Sequence, residues 1–211
     1  MATEEIKSHG VETVRERLLS KAIELFNRKG YAATTVREII EAAGVTKPVL
    51  YYYFGNKEGI FLELMREGFK RLDQLMESAR FAKRSTSEKV TDLCERAFTL
   101  FQENIPLVRL MHSIYYGPPQ GAPFFDFDAF HKQFHEVFMQ LVEQGVAAGE
   151  FRQGNVQDIT WAIMGALNVV MDVELSHPEL SIGRDGLIRI LTLIFDGVAA
   201  KPRRGRSENY A

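Results

Sequence analysis

The 211-residue sequence has a single cysteine and no apolar run long enough to cross a membrane. One thiol excludes an internal disulfide framework and is typical of a protein in the reducing cytoplasm. We expect Cys94 to be a small buried residue rather than a redox switch. The longest apolar stretch, Trp161 to Met171, is interrupted by Asn168 and is much shorter than the roughly 20 residues that a bilayer requires. These absences predict a cytoplasmic protein without a membrane partner.

A strong excess of positive charge is also absent. Lys and Arg number 26 against 28 Asp and Glu, which gives a formal net charge of -2. Residues 1–59 contain nine basic and eight acidic side chains, so the N-terminal part is barely more positive than the rest. A nonspecific, chromatin-like DNA protein would show a large basic excess, so this class is disfavoured. If the chain binds DNA, the paired heads of a dimer must supply the affinity.

Catalytic signatures are missing as well. The sequence has no phosphate-binding glycine loop, no nucleophile elbow and no zinc-protease helix motif. His131 and His135 lie one helical turn apart, with Asp128 a turn earlier, so this face could in principle hold a metal. Histidines at this spacing often occur by chance, and the residues between them supply no general base. We expect a protein that is not an enzyme and needs no cofactor; the alternative is an all-helical metal-binding or enzymatic protein that uses an internal cavity.

Helical periodicity runs through almost the whole sequence, and no segment shows the alternation of a strand. Capping residues, glycines and prolines mark the predicted ends. The predicted helices span about 14–29, 36–43, 47–54, 56–76, 88–103, 106–116, 124–148, 156–176 and 183–200. The polar residues 201–211 are predicted to be disordered. The expected fold class is therefore all-α.

Residues 35–54 have the pattern of two short helices joined at a glycine. Thr35 is followed three residues later by Glu38, so each side chain can cap the backbone N–H of the other. Gly44 supplies the left-handed turn that a side chain would resist. Thr46 can then cap the next helix. This arrangement is typical of a helix-turn-helix that reads DNA.

The second helix of this motif is predicted to have two different faces. Val45, Leu50 and Phe54 point inward on this interpretation. The outward side chains are Lys47, Pro48, Tyr51 and Tyr52, with Tyr53 at the edge. Aromatic residues at helical spacing usually belong to a core, but three successive tyrosines cannot all face one core from a single helix. The outward face offers donors, phenols and apolar edges that suit bases and phosphates in a major groove.

A longer pattern surrounds this motif. It consists of Ala22, Leu25, Phe26, Gly30-Tyr31, Thr35-Val36-Arg37-Glu38-Ile39, Ala42-Ala43-Gly44-Val45, Leu50-Tyr51-Tyr52-Tyr53-Phe54 and Asn56-Lys57-Glu58. In this order and without gaps, the residues resemble the TetR-like family of bacterial transcriptional regulators. The resemblance is strong over about the first quarter of the chain, and the rest is similar only in being long, amphipathic and helical.

The resemblance implies particular DNA contacts. The residues expected at bases are Arg37, Lys47, Pro48 and Val49. Those expected at phosphates are Thr35, Tyr51, Tyr52, Tyr53 and Lys57. Thr46, at the start of the reading helix, completes the predicted DNA-binding set.

The rest of the chain is rich in aromatic residues and methionines. Most must be core, but the resemblance implies a cavity between the middle helices, where such side chains suit an apolar small molecule. The predicted ligand-binding residues are Phe98, Phe101, Met111, His112, Tyr115, Phe127, Phe134, Trp161, Met164, Asn168, Met171 and Asp172. Asn168 and Asp172 lie within an apolar helix, where an unpaired polar group would cost about 1 to 3 kcal/mol. We expect both to pair with a ligand, a neighbouring helix or another subunit.

The last two predicted helices carry more apolar residues than one core requires. These are Trp161, Ile163, Leu167, Val170, Ile188, Leu191, Ile194 and Phe195. The excess predicts a homodimer interface, formed as a four-helix bundle across a twofold axis.

These patterns together predict an N-terminal helix-turn-helix DNA-binding head of three helices and a larger helical body for ligand binding and dimerisation. The head is expected at residues 1–55, the body at 56–200 and the tail at 201–211. The expected function is repression: a homodimer binds a palindromic double-stranded operator with its reading helices about 34 to 36 Å apart. A small apolar or amphipathic molecule in the body would then favour another head separation and release the DNA.

Overall fold

A computed structural model of the chain describes residues 12–197, so the predicted tail at 201–211 lies outside the described residues. Within residues 12–197 there are nine α-helices and no strand, which confirms the all-α prediction. The helices are α1 (Val14–Lys29), α2 (Val36–Ala43), α3 (Lys47–Phe54), α4 (Lys57–Phe81), α5 (Thr86–Glu103), α6 (Ile105–Tyr115), α7 (Phe127–Ala147), α8 (Val156–Ser176) and α9 (Gly183–Asp196). A short 3-10 turn, Pro178–Leu180, lies between α8 and α9.

Three helices differ clearly in length from the prediction. Helix α4 continues to Phe81 rather than ending at about Met76. Helix α7 begins at Phe127 rather than at about Phe124. Phe124 is highly exposed, whereas Phe127 at the start of the helix is buried. Helix α9 ends at Asp196 rather than at about residue 200, because Gly197 follows with a positive φ of 82° that a continuing helix does not allow.

The chain divides into two compact units. Of the described residues, the first unit contains 12–70 and 104–127, and the second contains 71–103 and 128–197. Helix α4 is continuous and belongs to both units. The first unit therefore contains the predicted DNA-binding head together with the start of α4, helix α6 and the loop that follows it. The grouping of α6 with the head was not predicted from the sequence.

An aromatic cluster forms the centre of the first unit. The ring of Tyr31 lies 5.2 Å from that of Phe26 and 5.3 Å from that of Phe61. Helices α1 and α6 pack against each other, and α4 approaches α6 closely at Gly68. A Cβ atom at Gly68 would lie only 2.7 Å from Leu107 Cδ2, so the glycine permits this close approach. The aromatic cluster and α6 thus belong to the same packed unit.

The second unit buries one face of each of its helices. Its completely buried apolar residues are Val90, Leu93, Cys94, Phe98, Val137, Phe138, Leu141, Val142, Ile163, Leu167, Leu187 and Leu191. Burial raises the pKa of the Cys94 thiol, so the side chain stays protonated and unreactive. The structure thus supports the prediction that Cys94 is a core residue.

Helix α8 exposes two large apolar side chains to solvent. Among the described helices it is the one that is long and apolar enough to cross a membrane by length and composition alone. The helix has the predicted bounds, but the sequence argument against a membrane span considered only the shorter apolar run from Trp161 to Met171. A helix of a soluble assembly passes the same test, and Trp161 and Val169 stand 54% and 63% exposed on α8. Apolar surface of this kind is typical of an interface between subunits.

Candidate DNA-binding surface

The bend between α2 and α3 is fixed by backbone geometry at Gly44. This residue has left-handed torsion angles, φ 62° and ψ 39°. The N–H of Val45 donates to the carbonyl of Ile40 over 3.0 Å, which satisfies an acceptor at the end of α2. At the start of α2, Thr35 and Glu38 form the predicted reciprocal capping box. Both ends of α2 are thus confirmed, and they set the direction in which α3 leaves the bend.

Helix α3 presents its predicted reading face to solvent. Leu50 is completely buried, whereas Lys47 and Pro48 are exposed. The exposed fractions of Tyr51, Tyr52 and Tyr53 are 46%, 83% and 43%. Val45, Val49 and Phe54 are half-buried. The predicted inward and outward faces of α3 therefore agree with the structure, and Val49 lies between them.

Lys47 lies beside the phenols on this face. Its Nζ atom is 5.4 Å from the centre of the Tyr51 ring, and the rings of Tyr52 and Tyr53 are 5.1 Å apart in an edge-to-face arrangement. No carboxylate among residues 12–197 forms an ion pair with Lys47. Its charge is therefore available to a phosphate or to the acceptor edge of a guanine.

Three of the predicted DNA contacts, Thr46, Thr35 and Arg37, differ in how far the protein itself already uses their side chains. Thr46 occupies the N-cap position of α3 but makes no side-chain capping hydrogen bond, so the predicted cap is wrong and its exposed hydroxyl does not serve the helix. The Thr35 hydroxyl is engaged by Glu38. Arg37 Nε donates to Glu41 Oε1 over 2.7 Å on the surface of α2. A DNA contact by Arg37 would have to displace Glu41.

Lys57 is used inside the head. Its ammonium donates to the carbonyls of Tyr31 and Thr34, each over 2.8 Å, and to that of Ala32 over 3.4 Å. The same Nζ lies 4.2 Å from the centre of the Tyr31 ring, and burial lowers the pKa of Lys57. Because an ammonium has three N–H donors, this arrangement leaves none for a phosphate. The geometry is at odds with the phosphate contact that the resemblance implied.

Two arginines that the sequence did not single out also stabilise the head. Arg15 Nη2 binds Glu63 over 2.5 Å and Glu67 over 2.8 Å, and its guanidinium lies 5.7 Å from the Phe54 ring. Arg17 Nε donates to the carbonyl of Ala43 over 2.8 Å, at the C-terminal end of α2. A positive charge at this end is favourable for the helix dipole. These partners lie far away in sequence, so no local pattern indicated them.

Glu38 connects α2 to the end of α1. Its carboxylate binds Lys29 and also accepts from the N–H and the hydroxyl of Thr35. The Lys29 ammonium first, and then the two Thr35 donors, lower the pKa of Glu38 to about 2. Glu38 therefore remains charged throughout the pH range in which the head would bind DNA.

The predicted ligand-binding residues are divided between the two units. Met111, His112, Tyr115 and Phe127 belong to the first unit, where the rings of Tyr115 and Phe127 are 5.6 Å apart. The others belong to the second unit. There, Phe98, Phe101, Phe134 and Met164 are buried and Met171 is half-buried.

Three of these residues are not in the interior of the second unit. Trp161, Asn168 and Asp172 lie on the exposed face of α8. Solvent reaches the side chains of Asn168 and Asp172 in the single chain, so neither needs a partner from a neighbouring helix; pairing with a ligand or another subunit stays a prediction. The helix is apolar in composition, but its buried face consists of other residues, such as Ile163 and Leu167.

The sequence left open a metal site at the histidine pair, His131 and His135. Among residues 12–197, no group of three or more His, Cys, Asp or Glu side chains is placed to hold a metal ion. The His135 ring lies 5.0 Å from that of Trp161, and its Nε2 atom is buried without a hydrogen-bond partner in the described part of the chain.

Comparisons with known proteins match the chain to one family of regulators. Residues 18–64 match the family model for bacterial regulatory proteins of the tetR family, and residues 83–172 match the tetracyclin repressor-like C-terminal domain. The HTH-type transcriptional repressor KstR2 of Mycobacterium tuberculosis is 31% identical over 166 residues, which cover 72% of this chain and 80% of that protein.

Solved structures show the same fold. The TetR family transcriptional regulator PfmR of Thermus thermophilus is 27% identical with a TM-score of 0.69, and the match covers 87% of this chain and 100% of PfmR. The transcriptional regulator FadR of Bacillus subtilis, in complex with stearoyl-CoA, is 17% identical with a TM-score of 0.62, and the match covers 87% of this chain and 98% of that one.

We expect the shifted pKa of Glu38 to appear as an acid-dependent loss of stability. A carboxylate whose pKa is lowered in the folded state contributes its full stabilisation at pH values above the ordinary pKa of 4.5. This contribution is lost as the pH falls towards the folded-state pKa of about 2. The free energy of unfolding, measured by urea denaturation at a series of pH values, should fall less steeply between these values in Glu38→Gln. Glutamine keeps the capping box. Lys29→Met should also reduce the dependence of the free energy of unfolding on pH, but by less. If both variants lose stability as steeply as the wild type, the lowered pKa of Glu38 is contradicted.

Proposed function

The chain belongs to the TetR family of bacterial regulatory proteins, and we propose that it represses transcription as a homodimer on a palindromic operator until a small apolar or amphipathic molecule releases it. It is a DNA-binding transcriptional regulator, as its relatives are, rather than an enzyme. The metal-binding or enzymatic alternative is therefore not favoured. The observation that carries the proposal is the exposed lysine and tyrosine face of α3.

The reading helix supplies few but well-placed contacts. Lys47 and Pro48 lie in its first turn, next to the bend at Gly44, where a helix-turn-helix meets base edges. Tyr51 and Tyr52 lie one turn further along, where phenol hydroxyls suit phosphate oxygens. We assign Lys47, Pro48 and Val49 to bases and the three tyrosines to phosphates. Thr35, Arg37 and Thr46 stay in the proposed DNA-binding set.

Modest electrostatics make a dimer necessary for this function. In the described part of the head, several basic side chains are already paired with acidic ones, as in Lys29–Glu38, Arg37–Glu41 and Lys21–Glu24. Each head therefore neutralises few phosphates, and the affinity of one head is low. Two heads spaced about 34 to 36 Å apart would read two half-sites of a palindrome.

The proposed dimer interface is the exposed face of α8 together with that of α9. Helices α8 and α9 pack against each other, and Trp161, Val169 and Leu193 remain exposed on them. This set differs from the sequence prediction, because Ile163, Leu167, Val170 and Leu191 are used in the core of the chain itself. Gly165 lies between Trp161 and Val169, with no side chain or backbone near its Cβ position, and would let a partner helix approach closely. Pairing these faces across a twofold axis gives the proposed four-helix bundle.

The proposed ligand site lies in the body, whose second unit contains both buried apolar rings and buried polar atoms without a partner among the described residues. In the second unit the rings of Phe98 and Phe101 are stacked 6.0 Å apart, and Met164 is buried. Asp73 Oδ1 and His135 Nε2 are buried without a hydrogen-bond partner among the described residues. Such groups are costly unless something pairs with them. An amphipathic molecule would cover the apolar side chains and satisfy these polar atoms.

We expect the duplex upstream of the gene itself to bind this protein through α3. Lys47→Ala and Tyr52→Ala should each weaken binding by about 10-fold, in line with about 1 to 3 kcal/mol for a good polar contact. Fluorescence anisotropy at several salt concentrations, with random duplex DNA as competitor, is the measurement. Wild-type affinity in the double variant would show that α3 does not read the DNA.

The same titration tests whether Lys57 binds a phosphate. Removal of a phosphate contact lowers the slope of log affinity against log salt by about 0.9. Lys57→Met should lower the affinity with an unchanged slope, because its ammonium holds backbone carbonyls of the head. A slope reduced by that amount in Lys57→Met would show that Lys57 binds a phosphate after all.

We expect a charge on the exposed face of α8 to separate the subunits. Val169→Arg places a guanidinium in the proposed interface and should convert a dimer into a monomer at micromolar concentration, as measured by light scattering after size exclusion. Leu180→Arg is the matched control, since Leu180 has the same exposed fraction of 63% but lies in the 3-10 turn. A monomeric wild type, or a dimeric Val169→Arg, would reject this interface.

Stearoyl-CoA, stearic acid and free CoA provide a probe series for the ligand class. A molecule with a long apolar part should raise the midpoint of thermal unfolding and weaken operator binding, since both effects follow from preferential binding to one conformation. Free CoA, which lacks the apolar chain, should do neither. If neither stearoyl compound changes the unfolding midpoint or the operator affinity, a long-chain amphipathic ligand is excluded.

A further inference from the structure

Gln120, in the loop between α6 and α7, contacts the backbone of the head directly. Its Oε1 accepts from the N–H of Tyr31 over 3.3 Å, and its Nε2 donates to the carbonyl of Ser113 over 3.3 Å. The backbone N–H is a donor, so it must face the amide oxygen of Gln120, and the NH₂ group is then left for the Ser113 carbonyl. One side chain therefore connects the last turns of α6 to the start of the turn that follows α1.

The turn that Gln120 contacts is the one that leads into α2. The carbonyl of Tyr31 accepts from the N–H of Thr34 over 3.2 Å and from Lys57 over 2.8 Å. The ring of Tyr31 is buried in the aromatic cluster of the head. Thr35, the N-cap of α2, follows directly. The position of this turn thus decides where α2 begins, and α2 in turn positions α3.

Helix α6 has a second attachment to the head at its other end. Asn27 Nδ2, near the end of α1, donates to the carbonyl of Pro106 over 2.7 Å. Helices α1 and α6 also pack against each other, and Gly30 lies so close to Gln120 that a Cβ atom there would be 3.1 Å from Oε1. Both ends of α6 are therefore fixed to α1 or to the turn after it, within one compact unit.

We infer that Gln120 is a positioning residue for DNA binding. Gln120 holds the turn at residues 31–34 through the N–H of Tyr31, while Lys57 holds the carbonyls of the same turn. This inference rests on the proposed reading of DNA by α3, and it assigns to the loop after α6 a part in setting the geometry of the reading head. Gln120 itself touches no DNA in this arrangement. A change in α6 or in its loop would reach α2 through these hydrogen bonds.

The test compares Gln120→Met with Gln153→Met in the full-length protein. Methionine has nearly the length of glutamine and keeps its packing, but it removes both hydrogen bonds. Gln153 is a matched control because its Nε2 also donates to a helix carbonyl, that of Val146 over 3.4 Å, but in the second unit. The measurements are operator affinity at several salt concentrations and hydrogen exchange at the Tyr31 amide.

In Gln120→Met we expect operator affinity to fall about 3- to 10-fold, the effect of one or two lost hydrogen bonds. The salt slope should stay at the wild-type value, because no phosphate contact is lost. Exchange at the Tyr31 amide should become faster, and Gln153→Met should match the wild type in all three respects. Wild-type affinity in Gln120→Met, or a reduced salt slope, would overturn the inference. If the wild type itself fails to bind the operator, the proposed function fails. Unchanged exchange at the Tyr31 amide in Gln120→Met would separately overturn the hydrogen bond between Gln120 and Tyr31.

Discussion

The ammonium of Lys57 holds together the carbonyls of the turn between α1 and α2, and the arrangement of the whole reading head depends on this contact. The turn contains no regular structure of its own, so its carbonyls need donors from elsewhere. Lys57 supplies them from the first residue of α4, beneath which the ring of Tyr31 is packed. A charge that would otherwise attract DNA is thereby used to fix the direction of α2.

The same principle applies to other basic residues of the head. Arg15 joins α1 to α4 and lies over the last ring of α3, and Arg17 binds the carbonyl at the end of α2. Hydrogen bonds to charged groups are stronger than those between neutral groups. A short helix such as α3 is marginal by itself, so it depends on such contacts and on the burial of Leu50 to present its outer face rigidly.

The body differs from the head in the groups that it leaves without a partner. Its core uses one face of each helix, and the remaining apolar side chains of α8 and α9 face solvent in the single chain. Buried polar atoms without partners among the described residues occur in the same unit. Both features are costly in an isolated subunit. In the proposed function, a second subunit covers the exposed apolar face and an amphipathic ligand pairs with the buried polar atoms.

The local features were predictable from the sequence alone: the all-α fold, the capping box at Thr35 and Glu38, the bend at Gly44 and the outer face of α3. These depend on residues within one or two helical turns, where capping, periodicity and glycine torsion angles act. The partners of Lys57, Arg15 and Gln120, the grouping of α6 with the head and the exposed face of α8 depend on contacts between distant segments. Amino-acid periodicity records that a helix has an apolar side, but only tertiary packing decides which of its apolar residues the chain itself buries.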